Sequence, residues 1–337
     1  MITQQGNLLD FVGIPGACFV IPMYQRAYAW TRKQCAELWE DIIRTGRENR
    51  THFMSMVLYV RESAGVDGGD TLEIIDGQQR LATATLLISA LAAHLRKTNA
   101  TVAGLTADDL RTRYLLSPDG THAKLQLVGT DGATLDALVS GAAMPARTSA
   151  NVIANREYFA EMMAAEDFDI ETFWRGLNHL VLIESSLDTN DKAQAIFESL
   201  NTKGIPLATA DLVRNYLLVG QSREEQERLY REYWNPIELM FGEDQGSRKL
   251  NAGIRMWITL RFRAVRIKDK SQTYNVFKQY MDVTDDTAED ILEELRGFCL
   301  MWSENYKFNE VKEFRSMDWI KGKTKTLIPG WGHQSGF

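Results

Sequence analysis

The stretch Leu72-Glu73-Ile74-Ile75-Asp76-Gly77-Gln78-Gln79-Arg80 decides how this chain folds. Its first half is rich in β-forming apolar residues and predicts a strand over about Thr71 to Ile75. Gly77 is the turn signal before an apolar helical pattern that runs from about Gln78 to Lys97. The sequence therefore predicts a strand that passes into a long helix through a very short turn.

The start of this helix is suited to bind an anion. The first backbone amides of a helix have no intrahelical partner and carry a partial positive charge, so a phosphate gains hydrogen bonds there. Gly77 would let the backbone approach the ligand closely, and Asp76 could hold a magnesium ion or position a water. Gln78, Gln79 and Arg80 could orient phosphate oxygens. A structural interpretation, with Asp76 as a cap and Arg80 paired at the surface, is favoured when the spacing is considered alone.

A second candidate site is the segment 20–30, between a strand and a capped helix. Flat aromatic rings suit stacking on a base or a modified nucleotide, while amide and guanidinium groups suit its edge or its phosphate. Packing into the core is an equally good interpretation, although each buried polar tip would then need a partner. The candidate residues for sensing DNA or its modification are Tyr24, Gln25, Arg26, Tyr28 and Trp30.

A third candidate site is the segment 197–215, which is predicted to form a helix, a turn and a second helix. Gly204 suits the left-handed position at a helix end, and Asp211 complements the dipole of the next helix. This structural interpretation explains most of the segment. The polar side chains left over as candidate phosphate contacts are those of Asn201, Thr202, Lys203 and Arg214.

Charge is unevenly distributed along the chain. The 38 basic and 45 acidic residues give a net charge of −7, which does not favour non-specific coating of nucleic acid. Residues 248–270, however, contain eight basic residues and one acidic residue, a local +7 that leaves −14 for the remainder. Such a segment is usually a solvated amphipathic helix, but in an acidic chain it is also a reasonable track for double-stranded DNA. The candidate contacts to the DNA backbone are Arg255, Arg261, Arg263 and Arg266.

Composition excludes several classes of protein. The 45% of hydrophobic and 25% of charged residues are typical of a globular protein. No run approaches the roughly 20 apolar residues of a membrane span, and there is no secretory signal, so a cytoplasmic location without membrane contact is expected. Three cysteines and five histidines are scattered, which argues against a disulfide framework and a zinc site. The sequence also lacks a P-loop, so nucleotide hydrolysis would need another scaffold.

The periodicity of the chain changes after about residue 80. Strand-like runs at 54–61 and 71–75 are expected to pair as a hairpin, and 181–184 is a candidate for one more strand. Seven helical segments predict a mainly helical region after residue 150: 151–165, 171–179, 192–200, 209–219, 223–238, 250–265 and 288–306. The predicted boundaries are 1–100 for an α/β domain, 101–150 for an irregular and helical connection, and 151–337 for a mainly helical domain.

Taken together, the three segments resemble the N-terminal domain of GmrSD-type modification-dependent restriction endonucleases, a family that includes SspE-like phosphorothioate-sensing proteins. The resemblance lies in Ile21-Pro22-Met23-Tyr24-Gln25-Arg26 with Trp30, in Asp76-Gly77-Gln78-Gln79-Arg80, and in 197–212 with its Phe-Glu, Leu-Asn and Ala-Asp-Leu. Each motif alone is weak, but their order over the first 220 residues is specific.

This resemblance implies a ParB/sulfiredoxin-like α/β (α+β) domain followed by a mainly α-helical domain. It implies that the Asp-Gly-Gln-Gln-Arg turn hydrolyses a nucleoside triphosphate, with GTP favoured and Mg²⁺ as cofactor. It also implies that hydrolysis is coupled to sensing of modified double-stranded DNA. The catalytic residues would be Asp76, Gln78, Gln79 and Arg80, with Asp76 also a candidate metal ligand, and the nucleotide-binding residues would be Gly77, Arg26, Asn201, Lys203 and Arg214.

The HNH nuclease domain that ends full-length members of this family has no counterpart in the sequence. A separate or missing nuclease is therefore expected, cleavage of DNA by this chain alone is not, and a homodimer is an expected assembly. The alternative function is that of a DNA-binding regulatory subunit without turnover, which recruits a separate nuclease.

Overall fold

The structure is a computed structural model that describes residues 2–62, 69–187, 208–241, 246–261, 267 and 272–305. Its contacts divide the chain into two compact units, Met1–Leu200 and Asn201–Phe337. The domain boundaries predicted from the sequence lie at residues 100 and 150 instead. The first unit continues past both positions because residues 101–187 add helices and two strands to the same core and sheet as the preceding residues.

A mixed six-stranded sheet lies at the centre of the first unit. Its strands are β1 (Ile2–Asn7), β2 (Cys18–Val20), β3 (His52–Glu62), β4 (Thr71–Asp76), β5 (Leu125–Gln126) and β6 (Leu180–Leu187). They follow the order β1-β6-β3-β4-β2-β5, so β4 is an interior strand. It pairs antiparallel with β3, as the hairpin prediction required, and parallel with β2.

The helices of the first unit surround one central helix. They are α1 (Leu8–Val12), α2 (Arg32–Glu48), α3 (Gln78–Thr98), α4 (Ala107–Leu110), α5 (Gly129–Ser140), α6 (Ala150–Met163) and α7 (Ile170–Asn178), with a π-helical turn at Arg111–Leu115. Every side chain from Leu81 to Ala92 in α3 is buried, as expected of a helix that is apolar on all sides. The hydroxyl of Thr83 donates to the Gln79 carbonyl at 2.8 Å, which satisfies it inside the core.

The strands β1 and β6 are neighbours in the sheet although most of the unit's sequence lies between them. The edge strand β1 contains the polar run Thr3-Gln4-Gln5 and was not predicted. It pairs antiparallel with β6, which in turn runs parallel to β3. The candidate strand at 181–184 is therefore real but longer, and it occupies the position next to the edge. Exposed polar side chains are typical of a protected sheet edge.

The described part of the second unit is helical, which confirms the predicted class. Its helices are α8 (Thr209–Leu218), α9 (Arg223–Leu229), α10 (Asn235–Phe241), α11 (Gly246–Arg261), α12 (Gln272–Met281) and α13 (Ala288–Asn305), with a π-helical turn at Tyr230–Trp234. That turn divides the helix predicted over 223–238, and α12 was not predicted. The helix predicted over 192–200 lies outside the described residues. None of the described helices combines the length and apolarity that crossing a membrane requires.

Position 77 requires glycine because of its backbone angle and because of its close neighbours. Its φ is +98°, and a Cβ at this position would lie 3.1 Å from Val57 Cγ2 and 3.3 Å from the Met56 carbonyl oxygen. We expect Gly77→Ala to lower the free energy of unfolding by about 1–3 kcal/mol, as measured by urea denaturation. Gly141→Ala is the matched control, because Gly141 has φ +83° and no atom within 4 Å of such a Cβ. Equal losses in the two variants would show that the contact of Gly77 with β3 contributes nothing.

Candidate functional site

The turn between β4 and α3 places a carboxylate at the start of the helix. The carbonyl of Gly77 accepts the N–H groups of Arg80 and Leu81, each at 3.1 Å, so the helix begins immediately after the strand. The N–H of Gly77 itself donates to the Asp76 carboxylate. The Asp76 side chain is thereby held beside the first helical turn.

Asp76 is half-buried and lies near two arginines. Burial raises its pKa above the ordinary value, and the Gly77 N–H, Arg80 and Arg26 oppose this with smaller effects. Arg80 belongs to the first turn of α3, whereas Arg26 comes from the loop after β2. With Asp76 ionised, one negative and two positive groups leave this cluster with a net charge of +1. The cluster is therefore a candidate site for an anion.

The side chain of Gln79, in the first turn of α3, forms hydrogen bonds with the backbone of the loop after β2. Its Oε1 accepts the N–H of Ala29 at 2.8 Å, and its Nε2 donates to the carbonyl of Ala27 at 3.2 Å. The side chain is only 8% exposed, so both ends of the carboxamide need these partners. In this structure Gln79 is a positioning residue for the loop.

Gln25 and Gln78 form a second link between the loop and the turn. The Nε2 of Gln25 donates to the carbonyl of Ile75 at 2.8 Å, and the Nε2 of Gln78 donates to the Oε1 of Gln25 at 3.1 Å. The Oε1 of Gln78 accepts no hydrogen bond from the described residues. The two motifs that the sequence separates by about 50 positions are thus one hydrogen-bonded structure.

Tyr24 and Tyr28 belong to the core, with exposures of 2% and 5%. The hydroxyl of Tyr24 donates to Glu73 Oε1 at 3.3 Å. The hydroxyl of Tyr28 lies 2.7 Å from Thr83 Oγ1 and accepts from Asn155 Nδ2 at 3.0 Å. Burial raises the pKa of both phenols. Neither ring has an open face for a base, so for these two residues the structure supports the packing interpretation.

Trp30 is the aromatic residue of the loop that keeps part of its surface exposed. Its carbonyl accepts from Asn155 Nδ2 at 2.8 Å, and the guanidinium carbon of Arg80 lies 5.9 Å from the centroid of its ring. Arg80 therefore interacts with the indole as well as with the Asp76 carboxylate. This arrangement connects the loop to the anion site through one side chain.

Three further residues hold the loop and were missed by the sequence analysis. Asp131 of α5 accepts the N–H of Tyr28 at 2.6 Å, and Asn151 of α6 donates to the carbonyl of the same residue at 3.1 Å. Asn155 adds the two bonds given above. These residues lie more than 100 positions beyond the loop and belong to no motif, so only the tertiary structure brings them to it.

A small pocket lies at this junction of loop, turn and helix, and its enclosed space is about that of one water molecule. Four of the residues that line the pocket are apolar, and the polar ones include Asp131 of α5. It is lined by Ile21, Arg26, Tyr28, Gln78, Gln79, Ala82, Leu127, Val128 and Asp131.

The sequence matches the family described as GmrSD restriction endonuclease, N-terminal domain, over residues 6–218, which is more than half of the chain. The chain belongs to this family. The match confirms the resemblance seen in the motifs and includes the loop, the turn and the residues that hold them. No curated protein matches the sequence. Membership of the GmrSD family indicates a component of a restriction and defence system, with DNA as the expected partner.

The donor set of this GmrSD-type site limits how it could hold a metal ion. The described residues contain no cluster of three or more His, Cys, Asp or Glu side chains. Mg²⁺ is commonly held by one or two carboxylates together with phosphate oxygens and waters. A single carboxylate such as that of Asp76 fits that mode, in which phosphate oxygens and waters supply the rest of the coordination.

Arg214, a candidate nucleotide contact in the GmrSD-type chain, is 4% exposed in the second unit. Its guanidinium pairs with Asp211 at 3.0 Å and with Glu238 at 2.5 Å. Both carboxylates belong to the same helical unit, so the contacts account for the burial of this charge. The other two candidates of this group, Asn201 and Lys203, lie outside the described residues.

Of the four candidate contacts to the DNA backbone, two are described. Arg261 is 10% exposed and pairs with Asp286 at 3.4 Å and Glu294 at 2.5 Å, so it holds helices of the second unit together rather than facing solvent. Arg255 is half-buried on α11. Arg263 and Arg266 lie outside the described residues.

Asp76→Asn is expected to raise the midpoint of thermal unfolding at pH 7, because burial penalises the charged form that Asn lacks. The folded pKa lies above the unfolded one, so the stability of the parent protein falls as pH rises through that window. The advantage of the variant should therefore disappear below about pH 4, where Asp76 is protonated. Thermal melts of both proteins from about pH 3 to 8 measure this, with the exposed Asp167→Asn as the control. A variant that is less stable than the parent at pH 7 would contradict the expectation.

Proposed function

We propose that this chain is a nucleoside triphosphatase that senses modified DNA in a restriction system, with GTP as the favoured nucleotide. The observation that carries the proposal is the cluster of Asp76, Arg80 and Arg26 at the N-terminus of α3. Helix N-termini and guanidinium groups both favour phosphate, and their effects add where they coincide.

Each residue of the cluster has a role in the proposal. Arg26 and Arg80 bind phosphate oxygens, and Gly77 lets the nucleotide approach the backbone. Asp76 holds the Mg²⁺ that accompanies the nucleotide, or positions the attacking water. Phosphoryl transfer depends mainly on positioning and charge stabilisation, which these groups can supply. Gln79 contributes by holding the loop that carries Arg26.

The loop 24–30 is the proposed link to DNA. It is fixed to the turn by buried carboxamides, and its Trp30 is in contact with Arg80. A change at the exposed part of Trp30 would therefore reach a phosphate-binding residue directly.

Arg80→Ala and Asp76→Ala are each expected to reduce release of phosphate from GTP by about 10²- to 10³-fold in the presence of Mg²⁺. Each variant removes one charge from the proposed phosphate site. Arg96→Ala is the matched control, since Arg96 lies on the same helix, is exposed and pairs with Asp108. Its rate should equal that of the parent, with or without double-stranded DNA.

Equal rates in the parent and in all three variants would remove the hydrolase proposal. A parent protein that binds DNA but releases no phosphate from GTP, ATP, CTP or UTP would favour the alternative, a DNA-binding regulatory subunit without turnover.

Arg255→Glu is expected to weaken binding of double-stranded DNA by roughly three- to tenfold at low salt, because it reverses a charge in the basic segment. The difference should shrink as the salt concentration rises. Fluorescence anisotropy with a labelled duplex measures both effects. Arg223→Glu is the control, since Arg223 is an exposed arginine of the second unit that pairs with Glu227. Affinity that responds neither to salt nor to Arg255→Glu would count against this part of the proposal.

A further inference from the structure

The carboxamides of Gln25 and Gln78 form a hydrogen-bonded chain with a fixed direction. The carbonyl oxygen of Ile75 is only an acceptor, so Gln25 must present its Nε2 to it, and these two atoms lie 2.8 Å apart. The Oε1 of Gln25 then faces Gln78 and accepts from its Nε2 at 3.1 Å. Reversing either carboxamide would place two oxygens against each other. The direction of the whole chain therefore follows from a single backbone carbonyl.

This direction determines which atom of Gln78 is left for a ligand. Gln78 is 9% exposed, and its Nε2 is bound to Gln25, whereas its Oε1 accepts no hydrogen bond from the described residues. The oxygen of a carboxamide is only an acceptor, so it matches a ligand with an O–H or N–H group. The oxygens of an ionised phosphate are acceptors as well. The Oε1 of Gln78 is therefore unsuited to binding a phosphate oxygen and suited to binding a water.

The surroundings of Gln78 have room for such a water. Gln78 and Arg26 both line the small pocket, whose enclosed space is about that of one water molecule. Arg26 also belongs to the cluster with Asp76 and Arg80, which is the proposed phosphate site. A water bound by Gln78 would lie beside that site, and a residue that orients the attacking water is a recurring part of enzymes that hydrolyse nucleoside triphosphates.

We propose that the Oε1 of Gln78 accepts a hydrogen bond from the attacking water and orients it for hydrolysis of the nucleotide. The water oxygen forms a bond to the γ-phosphorus, and the bond from that phosphorus to the β–γ bridging oxygen breaks. The electron pair of the broken bond stays on the bridging oxygen, and the nucleoside diphosphate leaves. Both hydrogens of the water leave with the inorganic phosphate, because a carboxamide is not a base. The inference rests on the proposed function, since it adds a catalytic residue to the same site.

Gln25 is a positioning residue in this proposal, because it acts only through Gln78. The hydrogen bond between the two side chains prevents the carboxamide of Gln78 from rotating and so keeps its oxygen available to the water. Gln25 belongs to the loop 24–30, which is the proposed link to DNA. A ligand that moves this loop would release the carboxamide of Gln78 and change the rate of hydrolysis more than the affinity for the nucleotide.

The test measures kcat and KM for release of phosphate from GTP by the full chain in the presence of Mg²⁺. Gln78→Met keeps the length of the side chain and removes its oxygen. We expect it to lower kcat about 10- to 100-fold and to leave KM within about twofold, because the attacking water loses its orientation. Gln25→Met should lower kcat less, by about three- to tenfold, because the oxygen of Gln78 remains but is no longer held.

Thr85→Val is the matched control. It removes a buried hydroxyl from the same helix, where that hydroxyl donates to the carbonyl of Leu81 at 2.9 Å and does not line the pocket. Both constants should equal those of the parent.

A double variant separates positioning from a merely structural role. Because Gln25 acts through Gln78, Gln25→Met should lower kcat no further once Gln78→Met is present, whereas two independent effects would multiply. Multiplied effects would overturn the inference. A KM that rises while kcat is unchanged would also overturn it, because Gln78 would then bind the nucleotide rather than the water.

The inference and the proposed function fail in different ways. A parent protein that releases phosphate, together with a Gln78→Met variant that keeps its kcat, would overturn the inference alone. A parent that releases no phosphate would remove the proposed function and the inference with it. Should Gln78→Met fail to fold, Gln78→Asn withdraws the same oxygen by one methylene group and should also lower kcat; an unchanged kcat would overturn the inference.

Discussion

The left-handed backbone of Gly77 is the constraint on which the candidate site depends. A single residue joins the interior strand β4 to the buried helix α3, so covalent geometry fixes the end of one against the start of the other. Asp76, the last residue of the strand, is therefore kept beside Arg80 in the first helical turn. Both elements are deeply packed, and such elements are the last to open in native-state fluctuations. A ligand at this turn would be bound to the most rigid part of the first unit.

Buried carboxamides extend that rigidity to the loop after β2. A buried amide without partners costs about 1–3 kcal/mol, so the loop cannot leave the turn without exposing or stranding Gln25 and Gln79. Asp131 and Asn155 secure the same loop from two other helices. The loop is consequently part of the folded core although it has no regular secondary structure. Arg26 is carried by this loop, which explains how a residue 50 positions before the turn comes to act on Asp76.

The strand, turn and helix at 71–98 could be predicted because their signals are local: β-forming residues, one glycine and a continuous apolar pattern. A functional role for the loop 24–30 and the turn 76–80 could be predicted only through the family resemblance. The spacing of their residues alone favoured capping and packing. The burial of Tyr24 and Tyr28 could not be predicted, because the partners of their hydroxyl groups come from β4, α3 and α6. The strand β1 has a polar sequence and exists because β6 offers it an edge. Asp131 carries no local signal, and its role depends on long-range contacts alone.

Arg80 has two partners of different strength, and this decides what a bound phosphate would do to the loop. Its contact with the Trp30 ring is of a kind worth about 0.5–1 kcal/mol at a partly exposed site. A hydrogen bond between a guanidinium and a phosphate is charge-assisted and contributes about 1.5–3 kcal/mol. A phosphate at the turn would therefore compete successfully with the indole for the Arg80 guanidinium, and the cation–π interaction with Trp30 would be lost. The coupling is reciprocal. If a ligand moves Trp30 away from Arg80 and thereby changes the affinity of the turn for phosphate by some factor, a bound phosphate changes the affinity for that ligand by the same factor. The geometry of one arginine is thus sufficient to couple the loop to the anion site without any rearrangement of the core.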